Sequence, residues 1–340
     1  MGIDIYLGVD VGSVTVKFAA LDAADNVIAS LYIPAEGRPV EAVQRGLAGL
    51  KEKLPPAAAI KGVAATGSAR YLAGAVLGAD LVKNEITCQA VAAVRAVPGV
   101  RTIIEIGGQD SKLIIVRDGQ VADFSMNTVC AAGTGSFLDH QAARLRMSIE
   151  ELSRRALLST GKVNVSGRCT VFAESDMVHK QQMGHNVDDI IYGLCRALVH
   201  NYLSDTGSGK DIKPPIVFQG GVAFNAGIKK ALEEELKTPV IIPPHHEIMG
   251  AIGAALLIHE NADLAKTVLV KNASKFRGFG ISELEFKTTS FTCRSCPTSC
   301  EIVKAAEGGR TVACWGGQCD LWEGRETELT GAPGTGEKSE

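Results

Sequence analysis

Ile5-Tyr-Leu-Gly-Val-Asp10-Val-Gly12-Ser-Val-Thr-Val-Lys17-Phe-Ala-Ala-Leu21 opens the chain, and Thr102-Ile-Ile-Glu105-Ile-Gly107-Gly-Gln-Asp-Ser-Lys112-Leu-Ile-Ile-Val116 repeats its pattern ninety-five positions on. Both copies place an acid, a glycine two residues later and a lysine five beyond that, between two β-rich runs. Each reads as a β-hairpin whose glycine turn brings backbone N–H groups to the surface. A polar turn and a third apolar run follow each, through Asp25-Asn26 and Asp118-Gly119. Two such turns facing each other across a cleft would make a phosphate clamp.

Working outward, Glu85 to Val97 has helical spacing and is expected to cross from one lobe to the other. Gly135 to Leu158, Thr170 to Gly184 and Val187 to Ser204 read as helices. Pro214 to Gln219 reads as a buried strand ending in the diglycine Gly220-Gly221, followed by a helix from Ala226 to Leu236. Val240 to Ile242 is a further short strand, and the small-residue helix Met249 to His259 is a second crossing. The expected domains are 1–260, with one lobe at about 1–95 and 245–260 and the other at about 96–244, then a cysteine-rich segment 261–325. A Gly/Glu/Thr tail, 326–340, is expected to be disordered. Within it Gly331-Ala-Pro-Gly-Thr-Gly336-Glu-Lys-Ser imitates a P-loop, but Glu337 displaces the lysine and no helix follows.

The 340 residues are 46% hydrophobic and 21% charged, with a net charge of -3. That is an ordinary globular composition without the basic bias of a nucleic-acid binder. No apolar run approaches the ~20 residues that span a bilayer, and a strand pattern starts at once, so a cytoplasmic protein with no membrane partner is expected.

Triphosphate hydrolysis needs backbone donors for phosphate, a carboxylate for Mg²⁺, and a group that positions water. Gly12, Ser13, Val14, Gly107 and Gly108 are assigned to phosphate contact, Asp10 to the magnesium shell, and Gln109 or Asp110 to the water. Lys17 either meets a phosphate or faces solvent. Gly133, Thr134 and Gly135 form a further small-residue turn on the nucleotide, and Gly220, Gly221 and Asn225 would let an adenine lie flat against backbone. The cofactors expected from this are ATP or ADP with Mg²⁺.

Of nine cysteines, Cys88 and Cys195 sit on apolar helical stretches and read as core. Cys130, in Asn127-Thr-Val-Cys-Ala-Ala-Gly-Thr-Gly-Ser136, and Cys169, in Gly167-Arg-Cys-Thr-Val-Phe-Ala-Glu-Ser175, each stand at a helix start, where the dipole favours a thiolate. Two thiolates are too few for a four-iron cluster, and a symmetric dimer supplies the other pair.

These two motifs, with Gly8-Val-Asp-Val-Gly-Ser13, Glu105-Ile-Gly-Gly-Gln-Asp-Ser-Lys112 and Gln219-Gly-Gly-Val-Ala-Phe-Asn225, resemble the ATP-dependent activators of 2-hydroxyacyl-CoA dehydratases and benzoyl-CoA reductases. Reductases of double-cubane cluster proteins belong to the same group. The resemblance covers roughly residues 3 to 260 and implies an α/β, actin-like ATPase fold of the sugar kinase, heat-shock chaperone and actin superfamily, with two lobes around a nucleotide cleft. It further implies a homodimer holding one 4Fe-4S cluster on Cys130 and Cys169 of each chain. ATP hydrolysis would then drive an electron from a ferredoxin or flavodoxin to a partner iron–sulfur reductase or dehydratase. A small-molecule kinase of the same fold is the alternative, and a non-enzymatic regulator a second one; the two cysteine motifs argue against both.

Short activators end near residue 260, so the C-terminal cysteines depart from the pattern. Cys293, Cys296, Cys300, Cys314 and Cys319 lie within 27 residues, as C-x2-C-x3-C and C-x4-C. Such crowding points to metal, either zinc or a second iron–sulfur cluster, with Cys293, Cys296, Cys300 and Cys319 as the set and Cys314 as the substitute. His245-His246-Glu247 lacks a zinc-helix spacing and reads as a loop near the nucleotide. Arg144, Arg146, Arg154 and Arg155 read as a cationic helix face.

Overall fold

β1 (Ile3–Val11) is buried on both faces from Ile5 onward, as expected of a strand at the centre of a covered sheet. It turns through Gly12-Ser13-Val14 into β2 (Thr15–Leu21), whose partner is β3 (Val27–Pro34). α1 (Pro39–Lys53) starts on Pro39, where a missing N–H costs nothing, and buries Ala42, Val43, Gly46, Leu47 and Leu50 at helical spacing. Leu47 and Leu50 are fully buried, about 2 kcal/mol each. β4 (Ala58–Thr66), α2 (Arg70–Leu77) and β5 (Leu81–Val82) complete a sheet of order β3-β2-β1-β4-β5.

This computed structural model describes residues 2–127, 130–166, 169–267, 273–317, 319 and 321–322, and the tail at 326–340 lies outside them. The chain divides into two compact units, the described parts of 1–85 with 250–340, and 86–249. No helix among the described residues is long and apolar enough to cross a membrane.

The second unit begins with α3 (Glu85–Ala96), then repeats the plan of the first. β6 (Thr102–Ile106), β7 (Ser111–Arg117) and β8 (Gln120–Asn127) form the antiparallel ribbon. After four helices, α4 (Gly135–Arg144), α5 (Ile149–Ala156), α6 (Thr170–Gln182) and α7 (Val187–Thr206), β9 (Ile216–Gln219) pairs parallel with β6. α8 (Ala226–Leu236) leads to β10 (Val240–Ile241), which pairs parallel with β9. The order β10-β9-β6-β7-β8 is that of the first sheet, strand for strand. The hydrophobic repeat in the sequence is thus a repeated five-stranded sheet.

The single helix expected over Gly135 to Leu158 is two helices. α4 ends in a Schellman turn: Met147 N donates to Ala142 O and Arg146 N to Ala143 O, both 3.1 Å. Arg146, at φ 55°, takes the left-handed position usually given to glycine. Ser148 then caps α5 by accepting from Glu151 N.

α9 (Met249–Thr267) is longer than expected and packs small residues onto β1, where a Cβ on Gly8 would lie 1.9 Å from Ala251 O. Beyond it stands a three-stranded meander, β11 (Phe286–Thr292), β12 (Glu301–Glu307) and β13 (Arg310–Trp315). The β12–β13 turn is Gly308-Gly309, both at positive φ, the backbone that a two-residue hairpin loop demands. Ile281 and Ala305 are fully buried in the core of the first unit, with Phe276, Phe279, Phe286, Val312 and Trp315 packed on it. Gln44 Nε2 donates to the carbonyls of Ile281 and Leu284, and Asp80 accepts from Ser274 Oγ and Lys275 N. The extension therefore completes a core already present.

Candidate functional site

In the first hairpin the register sets Asp10 directly across from Lys17, and the carboxylate meets the ammonium at 3.4 Å. Asp10 is 4% exposed, and the Lys17 side chain 18%. The lysine thus leans over the turn, 3.5 Å from where a Cβ on Gly12 would be, rather than into solvent. Ser13 and Val14 are exposed at the tip, and Gly12 N is tied to Thr15 O. Two neighbours carry no signal in the sequence. Thr66, level with Asp10 on β4, is fully buried with an unpartnered Oγ1, and Gly67, at φ 93°, passes Asp10 so closely that a Cβ would lie 2.5 Å from Oδ1. A buried carboxylate beside an unsatisfied hydroxyl fits a hydrated magnesium ion.

The second hairpin sets Glu105 across from Lys112 in the same way. Here Lys112 Nζ bonds two carboxylates, Glu105 at 3.0 Å and Asp110 at 2.8 Å, and its side chain is 3% exposed. Asp110 is therefore held by the lysine, and Gln109 is the exposed residue of the turn. Gly107 N is bound to Asp110 O; Gly135 N donates to Gly107 O at 2.9 Å, and Ser136 N to Gly108 O at 2.8 Å. The start of α4 is thereby stitched to the turn, which sets Gly135 and Ser136 against Gly107 and Gly108. A Cβ on Gly135 would stand 3.0 Å from Gly107 O.

The diglycine adjoins the same place. Gly220, at φ 92°, passes Ile106 O and Glu105 Oε1 at 2.5 and 2.9 Å from a would-be Cβ, so only glycine fits. Asn225 does not lie open for a base: it is 4% exposed, and its Oδ1 caps α8 by accepting from Gly227 N and Ile228 N. His246 stands beside the diglycine, taking up Gly220 O at 3.2 Å, and Phe224, 65% exposed, meets its ring edge-on at 4.4 Å. His246, read from sequence as part of a loop, and Phe224, read as part of the diglycine motif, together form an aromatic face beside Gly220 on which a base could stack.

Cys130 and Cys169 are both half-buried and both at N-cap positions. Cys130 differs from the expectation in one respect: it heads a single 3-10 turn, Ala131–Gly133, and α4 starts only at Gly135, so the α4 dipole is aimed at the glycine turn instead. The Cys130 backbone is clamped by Asn127, whose Oδ1 accepts from Cys130 N at 2.9 Å while its Nδ2 donates to Cys130 O at 2.8 Å. Cys169 opens α6, its carbonyl accepting from Ala173 N, with Phe172 65% exposed beside it. Two partly accessible thiols on pre-set backbone fit a cluster shared between chains. Cys88 and Cys195 are fully buried, and burial pushes the Cys195 thiol up to about 12. On the arginine face Arg144 pairs with Glu174 at 3.2 Å and Arg155 with Asp188 at 2.5 Å.

At the other end, Cys293 and Cys314 are buried with Ile302, and Cys300 packs against them, while Cys296 and Cys319 are exposed. Trp322 Nε1 donates to Cys293 Sγ at 3.3 Å. Hydrogen bonds from Ser295 lower the Cys293 thiol and those from Thr298 the Cys296 thiol; burial raises Cys314. Among the described residues no three His, Cys, Asp or Glu side chains stand together as a metal would need. As arranged, the side chains of Cys293, Cys296, Cys300 and Cys319 do not converge on one point as a metal site requires.

The (R)-2-hydroxyglutaryl-CoA dehydratase activating ATPase of Acidaminococcus fermentans is 36% identical over 259 residues, 75% of this chain and 97% of that protein. The activator of lactoyl-CoA dehydratase of Anaerotignum propionicum is 35% identical over 265 residues, 75% of this chain and 98% of its own. Among solved structures, the activator of the 2-hydroxyisocaproyl-CoA dehydratase from Clostridium difficile with bound ADPNP matches with a TM-score of 0.72 at 33% identity, covering 79% of this chain and 99% of that one. EutJ from Carboxydothermus hydrogenoformans, at 14% identity and a TM-score of 0.52, shares the fold alone, and with the activator structures it establishes the actin-like ATPase fold. The profile of one ATPase family matches residues 7–257. The chain belongs to that family, the BadF/BadG/BcrA/BcrD ATPases, and is an ATPase of actin-like fold.

Proposed function

We propose that this ATPase activates a partner iron–sulfur enzyme by coupling ATP hydrolysis to delivery of a low-potential electron. One observation carries the reading. Cys130 sits at the head of the segment that runs through Gly133-Thr134-Gly135 into α4, and α4 is hydrogen-bonded to the Gly107-Gly108 turn. A change at that turn reaches the cysteine backbone within one short rigid segment, further locked by Asn127.

The relatives named above are activators of dehydratases, and a further relative, 28% identical, is part of a benzoyl-CoA reductase from Thauera aromatica. By analogy the partner is an iron–sulfur dehydratase, a reductase or a double-cubane protein, and the donor a ferredoxin or flavodoxin. Asp10, with Thr66 beside it, holds the magnesium shell of ATP; Ser13 and Gly108 donate to phosphate from turns that the Gly12 and Gly107 N–H groups close, and exposed Gln109 orients water. Cys130 and Cys169 of two copies hold one 4Fe-4S cluster, which supplies a one-electron couple when bound. Asn127 orients Cys130, and the α4 stitching makes its setting depend on the nucleotide.

Anaerobic purification with iron, zinc and EPR measured for wild type, Cys130→Ala and Cys169→Ala tests this. About four irons per dimer, lost in either variant while ATP still binds, is the expected result. An iron-free protein that hydrolyses ATP after anaerobic reconstitution would overturn it. Zinc or iron beyond four per dimer would assign metal to the C-terminal cysteines.

A further inference from the structure

The C-terminal meander encloses, with α2, a cavity of about 840 Å³ that the nucleotide chemistry does not use. All its walls belong to the first unit. On one side Gly74, Ala75, Gly78 and Ala79 keep the α2 wall low; Gly78, at φ 66°, lets the backbone pass, since a Cβ there would lie 2.4 Å from Lys275 O. On the other side Val312 and Ala313 continue the apolar lining. The volume suits a small molecule.

Its charged lining is three cations, Lys275, Arg277 and Arg310, against one acid, Glu307. Lys275, Arg277 and Arg310 line the rim, all exposed. Arg277 is paired with Glu307 at 2.6 Å, whereas Lys275 and Arg310 have no ion-pair partner among the described residues. Thr311, in the same wall, is 2% exposed, and its Oγ1 has no hydrogen-bond partner, a costly state for a buried hydroxyl. An apolar trough, a cationic rim and an unsatisfied hydroxyl share one occupant in chemical terms. The segment that supplies the rim, 275–314, lies beyond the family match at 7–257, so the cavity belongs to what this chain adds.

We infer that this cavity binds a small amphipathic anion, an apolar chain or ring ending in a carboxylate or phosphate, with Lys275 and Arg310 taking the charge and Thr311 a headgroup oxygen. The site is independent of the nucleotide reading. Calorimetric titration of the full chain with octanoate and with octyl phosphate, and with octanol as the uncharged control, tests it. Binding of either anion at one site per chain supports the inference, and the tighter of the two names the headgroup. Lys275→Glu with Arg310→Glu, both at exposed positions, should weaken it about tenfold or more, with the fold of the variant checked by circular dichroism because Arg310 lies across from Glu307. Thr311→Val, which keeps the shape, should weaken it by up to about tenfold. No heat with either anion at millimolar concentration, octanol bound as tightly, or affinity unmoved by the charge reversal would each overturn it.

Discussion

The two hairpins carry the same acid–glycine–lysine spacing and the same strand register, yet their lysines differ in kind. Lys17 stands 3.4 Å from one carboxylate and keeps 18% of its side chain in solvent. Lys112 is bonded to Glu105 and Asp110 within 3.0 Å, is 3% exposed, and has its carbonyl taken by the hydroxyl of Tyr202, itself fully buried. In the second copy the ion pair has become part of a core, while in the first it is loose enough to answer a ligand. A duplicated motif therefore need not mean duplicated roles; burial decides which copy holds structure and which is free to rearrange.

The largest test of that contrast is Lys112→Met. Removing it leaves two carboxylates against each other, one of them buried, and should cost about 3–5 kcal/mol, read as a fall in the denaturant midpoint with unchanged slope. A loss under about 1 kcal/mol would erase the distinction. Asp10→Asn should leave the fold intact and lower the ATPase kcat about a hundredfold, about 2.7 kcal/mol, through the magnesium shell. A variant that hydrolyses ATP normally would move the metal role to another carboxylate. Smallest in stability is Lys17→Met, expected to cost about 1 kcal/mol or less while raising KM for ATP. A stability loss as large as that of Lys112→Met would make the two hairpins equivalent after all.

How far the sequence reaches follows the same physics. The repeat, the strand–diglycine–helix and the crossing helices are legible because period and glycine placement are local signals. The break between α4 and α5 is signalled by Ser148-x-x-Glu151, a capping box, but masked by an arginine at the left-handed position. Asn225 looks like a base contact because the sequence shows an exposed-type residue after a glycine turn, and only the helix beyond it turns the side chain inward as a cap. Phe224 with His246 has no pattern to announce it, since the two come from separate loops. The meander escapes a reading by sequence although Gly308-Gly309 marks its turn, because the cysteines around it suggest metal first.

By itself the sequence determined the family, the paired hairpins with their acid–lysine register, and the two cysteine loops, all set by spacing within short stretches of chain. Tertiary structure alone decided that Lys112 is buried and Lys17 is not, that α4 is stitched to the Gly107-Gly108 turn, and that the C-terminal segment joins the first core and encloses a cavity. Those outcomes depend on which distant surfaces exclude water together, and no local spacing records that.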